Sequence, residues 1–136
     1  MTTWERPIPE PDMVSREYWR AGAEGRLLIQ YCPSCESRQF YPRAVCVQCG
    51  STPGWEEASG RGTVYTFTVV RQHGAKPFRD ELPYVVAMIE LEEGPRMMGN
   101  ITDCAVEEVR IGMPVSVHFV EAEEGVGVPF WRPAAG

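Results

Sequence analysis

The sequence has 136 residues and a formal net charge of -6, with 43% hydrophobic and 24% charged residues. This length suits one hydrophobic core with a small appended module, and it leaves no room for two full-sized domains. General nucleic-acid binding needs a basic surface to displace counterions from phosphates, and an acidic chain does not supply one. No apolar run is long enough to cross a bilayer, and residues 1–6 do not resemble a secretion leader, so we expect a cytoplasmic protein.

Residues 1–25 predict an extended arm followed by a short helix. Three prolines within residues 7–11 disfavour regular structure. Asp12 can cap a helix that carries Tyr18 and Trp19 and is stopped by Gly22 and Gly25. A helix this short is marginal in water, so its aromatic face needs a packing partner in this chain or in another subunit.

Residues 26–58 carry two Cys-x-x-Cys pairs separated by ten residues, which are Cys32, Cys35, Cys46 and Cys49. Two residues between thiolates let a tight turn aim both sulfurs at one ion, and two such turns complete a tetrahedral shell. Gly50 follows the second pair, where the turn needs a left-handed residue. Two disulfides or a dithiol redox pair are the alternatives, and iron of the rubredoxin type is the alternative metal.

Strand-like segments precede and follow the first cysteine pair, at residues 26–31 and 38–41. The order of strand, cysteine pair, strand and cysteine pair is that of a zinc ribbon. A unit this small has little apolar core, so metal binding would supply much of its folding free energy. Four thiolates also fill a tetrahedral site, which indicates a structural Zn²⁺ rather than a catalytic one.

Residues 59–136 predict a mainly β module, a five-stranded OB-fold barrel. Period-two alternation and β-formers mark strands at residues 62–70, 84–91, 96–102 and 115–122, with a break at residues 71–76 and a short helix or turn at 106–109. Gly99 would allow a bulge or a tight bend within its strand. The aromatic, proline-rich tail at residues 126–133 is expected to lie across the barrel.

No catalytic constellation is evident: the sequence has no nucleophile elbow, no phosphate-binding glycine-rich loop and no His-Glu-x-x-His motif. His118 lies in a predicted strand and suits an ordinary strand position. His73 lies in a loop and is the better functional candidate. Cys104 has no cysteine partner and suits a small buried hydrophobic position.

Charge is unevenly distributed along the barrel module. Residues 58–79 contain no acid, whereas residues 80–124 contain eleven acids against two arginines. A locally basic segment on an acidic protein indicates binding of a specific anion, although a solvated loop face explains it equally well.

The chain as a whole resembles the family of zinc-ribbon and OB-fold acyl-CoA-associated proteins, long catalogued as a domain of unknown function. The resemblance covers nearly all 136 residues. It rests on the helix, on the cysteine ribbon with Tyr-Pro-Arg at 41–43, and on segments 60–67, 83–87, 90–94 and 112–115. The resemblance implies an N-terminal helix, a rubredoxin-like zinc ribbon and an OB-fold barrel.

The family resemblance further implies a non-catalytic partner of thiolase-superfamily enzymes: thiolases, hydroxymethylglutaryl-CoA synthases, acyltransferases or the lipid-transfer-protein type of aldolase that shortens steroid side chains. The chain would dock on a partner dimer and help to shape an acyl-CoA channel. Candidate residues for the CoA phosphates are Arg43, Arg71, His73, Lys76 and Arg79. Candidate docking residues are Tyr18, Trp19, Phe40, Tyr41, Phe130 and Trp131.

Two other classes compete with this interpretation. OB barrels and zinc ribbons both commonly bind single-stranded nucleic acid, and Tyr65 and Phe67 could stack on bases, although the acidic charge opposes this. A self-sufficient small enzyme using His73 and Cys104 is the third possibility.

Overall fold

The computed structural model describes residues 4–134. Residues 1–3, which entered the prediction that no leader is present, lie outside the described residues. Within the described part, none of the helices has the length and apolar character needed to span a membrane.

The N-terminal helix α1 (Arg16–Ala23) follows an extended arm, as predicted. Asp12 holds the turn before it: its carboxylate accepts hydrogen bonds from the backbone N–H of Val14 and Ser15, at 3.0 and 2.8 Å, and from the Ser15 hydroxyl. The helix packs on the barrel at Gly22, where an added Cβ would collide with the carbonyl oxygen of Gly127. Two glycines thus let the helix and a barrel strand approach backbone to backbone.

The ribbon is a three-stranded antiparallel sheet in the order β2–β1–β3. Its strands are β1 (Leu28–Tyr31), β2 (Arg38–Gln39) and β3 (Gly54–Glu57). The sequence predicted β1 and β2 but missed β3, which pairs with all four residues of β1. Only two residues form β2, so the predicted strand at 38–41 is shorter than expected.

Five strands of the described chain close the barrel in the order β4–β5–β6–β8–β7. They are β4 (Arg61–Val70), β5 (Tyr84–Leu91), β6 (Arg96–Ile101), β7 (Pro114–Glu123) and β8 (Val126–Pro133). Between them lie the short helix α2 (Lys76–Arg79) and a 3₁₀ turn (Val106–Glu108), the latter at its predicted place. The mainly β fold with helix, ribbon and five-stranded barrel is therefore confirmed.

The sequence predicted that the tail at residues 126–133 lies across the barrel. In the structure it instead forms the fifth strand of the barrel, β8. It pairs with β7 along most of its length and with β6 only at Ile101 and Trp131. The edge of β8 that faces β6 therefore needs few backbone donors, and Pro129 and Pro133 are tolerated there.

Gly99 in β6 makes room for the largest side chain of the barrel core. A Cβ at Gly99 would lie 2.7 Å from Cδ1 of Trp131, whose ring is fully buried. Close approach of Trp131, rather than a bulge, accounts for this glycine. Register shifts of the barrel lie elsewhere, between Val64 and Thr66 where β4 pairs with β5, and between Glu121 and Glu123 where β7 pairs with β8.

Candidate metal centre and ligand cavity

The four cysteines of the ribbon converge on one point. All four sulfurs lie within 4.8 Å of one another, with Cys32 and Cys49 3.6 Å apart and Cys35 and Cys46 3.7 Å apart. A tetrahedral ion about 2.3 Å from each sulfur requires sulfur–sulfur separations of about 3.8 Å. The donor set and its spacing thus fit a structural zinc ion, and four thiolates leave no position for substrate.

The two knuckles have the same backbone hydrogen bonds. The N–H of Glu36 donates to the carbonyl of Cys32 at 2.7 Å, and that of Gly50 donates to the carbonyl of Cys46 at 2.9 Å. Both donors have left-handed backbones, with φ of 65° and 80°. Gly50 was predicted for this role, whereas Glu36 plays the same part without the freedom of glycine.

Hydrogen bonds to the two cysteines of the second knuckle lower the pKa of their thiols. The Ser37 hydroxyl and the backbone N–H groups of Cys49 and Gln48 lower the pKa of the Cys46 thiol to about 6. Ser51 likewise lowers the pKa of the Cys49 thiol. Because the thiolate is the form that binds metal, these donors favour the metal-binding form of Cys46 and Cys49.

A second feature lies where the ribbon, α1 and the barrel meet: a cavity of about 630 Å³. Strands β6 and β8 touch only near Ile101 and Trp131, and beyond that point their separation opens one side of the cavity. Its lining includes Tyr18, Trp19, Phe40, Tyr41, Met98 and Phe130. This volume is typical of small-molecule sites.

Five of the six predicted docking residues gather around this cavity, and the rings of four of them, all but Phe130, pack on one another. The Tyr18 ring lies 4.9 Å from that of Trp19 and 5.5 Å from that of Phe40, measured between ring centroids. Tyr18 is 4% exposed, so it supports the wall and offers little surface to a protein partner. Tyr41 remains 44% exposed.

Trp131 is the exception among the predicted docking residues. Its side chain is 0% exposed and belongs to the barrel core, because β8 is a barrel strand and turns the ring inward over Gly99. Direct contact between this ring and a partner, which the sequence predicted, does not fit that position.

The five candidate CoA-binding residues fall into two places. Arg43 lines the cavity. The other four lie between β4 and β5: Lys76 is paired with Asp80 at 2.6 Å, and the ring of His73 lies 4.7 Å from that of Phe78. They are Arg71, His73, Lys76 and Arg79. Phe78 connects the two places, because it also lines the cavity.

Arg6 is a cavity residue that sequence reasoning missed. Its guanidinium makes a two-pronged ion pair with Glu81, at 3.0 and 2.9 Å, and donates to Oδ1 of Asn100 at 2.9 Å. Four aromatic rings surround it at 5.1–5.9 Å, those of Trp4, Phe78, Tyr84 and Phe130. The proline-rich sequence around Arg6 gave no signal for this contact, which spans 75 residues of chain.

The two remaining catalytic candidates, His118 and Cys104, do not line the cavity. Nε2 of His118 lies 2.7 Å from the Thr102 hydroxyl, and burial lowers the pKa of this imidazole, with the positive charge of Arg132 adding to the effect. Cys104 packs against the core, and burial raises the pKa of its thiol. A raised pKa leaves the thiol protonated and unreactive.

Two family models match the chain: the rubredoxin-like zinc ribbon domain of ChsH2 at residues 19–56 and the C-terminal OB-fold domain of ChsH2 at residues 55–120. A DUF35 domain-containing scaffold protein of Methanocaldococcus jannaschii is 43% identical over 115 residues, which cover 82% of this chain and 80% of that protein.

A probable enoyl-CoA hydratase alpha subunit of Thermomonospora curvata is 37% identical over 131 residues. The match covers 95% of this chain but only 40% of that longer protein. Among solved structures, a chain of the Ltp2-ChsH2(DUF35) aldolase superposes with a TM-score of 0.83 and 35% identity, covering 93% of this chain and 99% of that one. This chain therefore belongs to the DUF35 family, with the zinc-ribbon and OB-fold domains of ChsH2.

Proposed function

We propose that this chain is a non-catalytic accessory subunit that docks on a thiolase-superfamily enzyme and helps to form its acyl-CoA channel. The observation that carries the proposal is the similarity, over 93% of the chain, to a chain of the Ltp2-ChsH2(DUF35) aldolase. The partner would be a dimer of the lipid-transfer-protein aldolase, thiolase or acyltransferase type, acting in steroid side-chain or other acyl-CoA metabolism in the cytoplasm.

The chemistry of the metal centre is consistent with a non-catalytic role for this chain. Zinc held by the four ribbon cysteines would have a complete shell, so it would hold the ribbon in shape and would not polarise a substrate. Catalysis would take place on the partner. The accessory chain would contribute positioning of the acyl-CoA and exclusion of water.

The ribbon offers an apolar surface on which a partner could dock. Val47 and Val45, on either side of Cys46, are 60% and 51% exposed, and Met13 before α1 is 88% exposed. Exposed apolar side chains on the second knuckle and on the chain before α1 are candidates for protein–protein contacts. We therefore place the docking surface on the ribbon and the chain that leads into α1.

The positions of basic side chains near the cavity support the CoA part of the proposal. Arg43 lines the cavity, and the basic residues between β4 and β5 flank Phe78 of the same cavity. Guanidinium groups bind phosphates through two parallel hydrogen bonds. The phosphates of CoA would lie along this side, with the acyl group directed toward the partner's active site.

Co-expression with a tagged thiolase-superfamily protein, followed by affinity purification and light scattering, tests the docking. We expect one hetero-oligomer of fixed stoichiometry. Val47→Gln should abolish co-purification, because it replaces an apolar contact with a polar side chain. Zinc should stay bound, because the change is neutral in charge and the Val47 side chain is exposed. Ile111→Gln, at a 68% exposed barrel position, is the matched control and should co-purify normally. Equal recovery of both variants would contradict docking through the ribbon.

A further inference from the structure

The extended arm before α1 reaches the barrel through the side chain of Arg6. Prolines at three positions of residues 7–11 disfavour regular structure in this arm. Within the described chain, no backbone–backbone hydrogen bond joins residues 5–11 to another element. The Arg6 side chain is nevertheless only 14% exposed. An arm without backbone hydrogen bonds depends on its side chains to stay in place.

The polar groups around Arg6 match the shape of a guanidinium. Both carboxylate oxygens of Glu81 accept from it, one from Nε at 3.0 Å and one from a terminal nitrogen at 2.9 Å. The other terminal nitrogen donates to Oδ1 of Asn100 at 2.9 Å. The amide of Asn100 is itself oriented, because its Nδ2 donates to the carbonyl of Val85 at 2.9 Å. A lysine ammonium cannot make such a forked pair, so these groups select arginine.

Aromatic rings complete the surroundings of the guanidinium. The ring centroids of Phe78, Phe130 and Tyr84 lie 5.1, 5.3 and 5.9 Å from its central carbon. Aromatic faces attract a cation at distances of up to about 6 Å, and they do so more strongly where water is excluded. The carboxylate, the amide and the three rings together form what we call the Arg6 site, which consists of Phe78, Glu81, Tyr84, Asn100 and Phe130.

The Arg6 site lies across the gap between β6 and β8. These strands pair at a single position, and Asn100 of β6 and Phe130 of β8 each lie one residue before it. Arg6 therefore contacts both sides of the gap. Phe78 and Glu81 come from the connection between β4 and β5, residues 71–83, whose helix α2 has no buried residue. Arg6 thus ties this connection to two barrel strands and closes one side of the cavity.

We infer that the Arg6 site is a binding site for an arginine in an extended peptide segment, and that the N-terminal arm of the same chain occupies it as a releasable strap. Glu81 is 46% exposed, so water and salt reach its ion pair with Arg6. Release of the strap opens the gap between β6 and β8 and frees residues 71–83, which carry four basic side chains. The inference concerns this chain alone and is independent of docking on a partner.

Hydrogen exchange of the zinc-loaded chain, measured by mass spectrometry over residues 71–83, tests the strap. Arg6→Ala should speed exchange there roughly tenfold, because the connection loses its charge-assisted contact. Arg6→Lys keeps the charge but not the forked pair, so its exchange should be intermediate. Arg20→Ala is the matched control, since Arg20 pairs with Glu17 on the exposed face of α1, and it should exchange as the parent does. Unchanged exchange in Arg6→Ala would overturn the inference.

A synthetic peptide of residues 4–11, WERPIPEP, distinguishes a releasable strap from a fixed structural contact. Added to Arg6→Ala at about millimolar concentration, the range in which a tethered arm acts, it should restore slow exchange over residues 71–83. The same peptide with alanine in place of arginine should not, and neither peptide should act on the double variant Arg6→Ala/Glu81→Gln. No restoration by the arginine peptide, or equal restoration by both peptides, would overturn the inference.

Light scattering of the parent chain identifies which copy supplies the arm. We expect the mass of a monomer for the parent and for Arg6→Ala. A parent dimer that Arg6→Ala abolishes would place the arm on a second copy, and it would overturn a strap that acts within one chain.

Discussion

The ribbon and the barrel of this protein have different sources of stability. The ribbon has strands of two to four residues, and its two buried cysteines point at a metal centre. The barrel has strands of six to ten residues around a cluster that includes Val64, Ile89 and Trp131. Metal binding stabilises the cysteine knuckles of the first, whereas apolar burial stabilises the second together with Leu27 and Ile29 of the ribbon, so the knuckles and the barrel should respond to different perturbations.

The largest difference should come from removing one buried ligand of the metal. In Cys46→Ser, we expect zinc to fall from about one equivalent to near zero and the ribbon to lose its fixed structure, because its folding depends on the ion. The barrel should stay folded. Metal analysis and backbone NMR would measure both effects.

Cys104→Ser is the matched control for this prediction, since Cys104 lies outside the sulfur cluster. It should keep its zinc. Retention of a full equivalent of zinc in Cys46→Ser would show that the four sulfurs do not hold the ion together.

A core deletion in the barrel should give the opposite pattern. Trp131→Ala removes the fully buried ring over Gly99 and should cost about 3–5 kcal/mol of unfolding free energy, through lost burial and the cavity left behind. Zinc content should not change. Urea unfolding followed by circular dichroism would measure the loss. Trp19→Ala, at a partly buried position, should cost less, and an equal cost would contradict the placement of Trp131 in the core.

The junction between α1 and the barrel should show an intermediate effect. Gly22→Ala places a methyl group against the backbone of Gly127 and should destabilise the protein by about 1–3 kcal/mol. Gly74→Ala is the control, because a Cβ there would meet open space, and its melting temperature should match the parent's. A similar melting temperature for both variants would mean that the two backbones can separate without cost.

The smallest expected effect lies in the first knuckle. Glu36 adopts φ of 65°, which glycine adopts without steric cost. Glu36→Gly should therefore stabilise the zinc-loaded ribbon by less than about 1 kcal/mol, whereas Gly50→Ala, at the equivalent turn, should weaken it. Competition with a chromophoric zinc chelator would rank the two variants, and the reverse ranking would contradict the shared geometry.

Local patterns made much of this fold predictable. The cysteine spacing predicted the metal centre, and alternation predicted β5 at its observed bounds. The tail was misassigned because its prolines disfavour a strand. They are tolerated in β8 because one edge of this strand makes few backbone hydrogen bonds, so the missing N–H of proline costs little there. Strand β3 was missed because its four residues lack an alternating pattern of their own and are ordered by pairing with β1.

The cavity could not be predicted in the same way. It is formed where α1, residues 40–43 and two barrel strands meet, and no local pattern encodes their distance. The contact between Arg6 and Glu81 is of the same kind, since it joins an irregular arm to the end of a loop. Aromatic residues could be picked out in the sequence, but whether they face a partner or a cavity depended on packing between modules.

The acyl-CoA turnover of the thiolase-superfamily partner, measured as this chain is added, tests the central claim most directly. With the zinc-loaded chain, we expect turnover to rise and saturate at a fixed stoichiometry, and we expect none from the chain alone. Chain stripped of metal should give no rise, because the ribbon would no longer present its docking surface. Equal stimulation by stripped and loaded chain, or turnover by the chain alone, would contradict a metal-held accessory subunit.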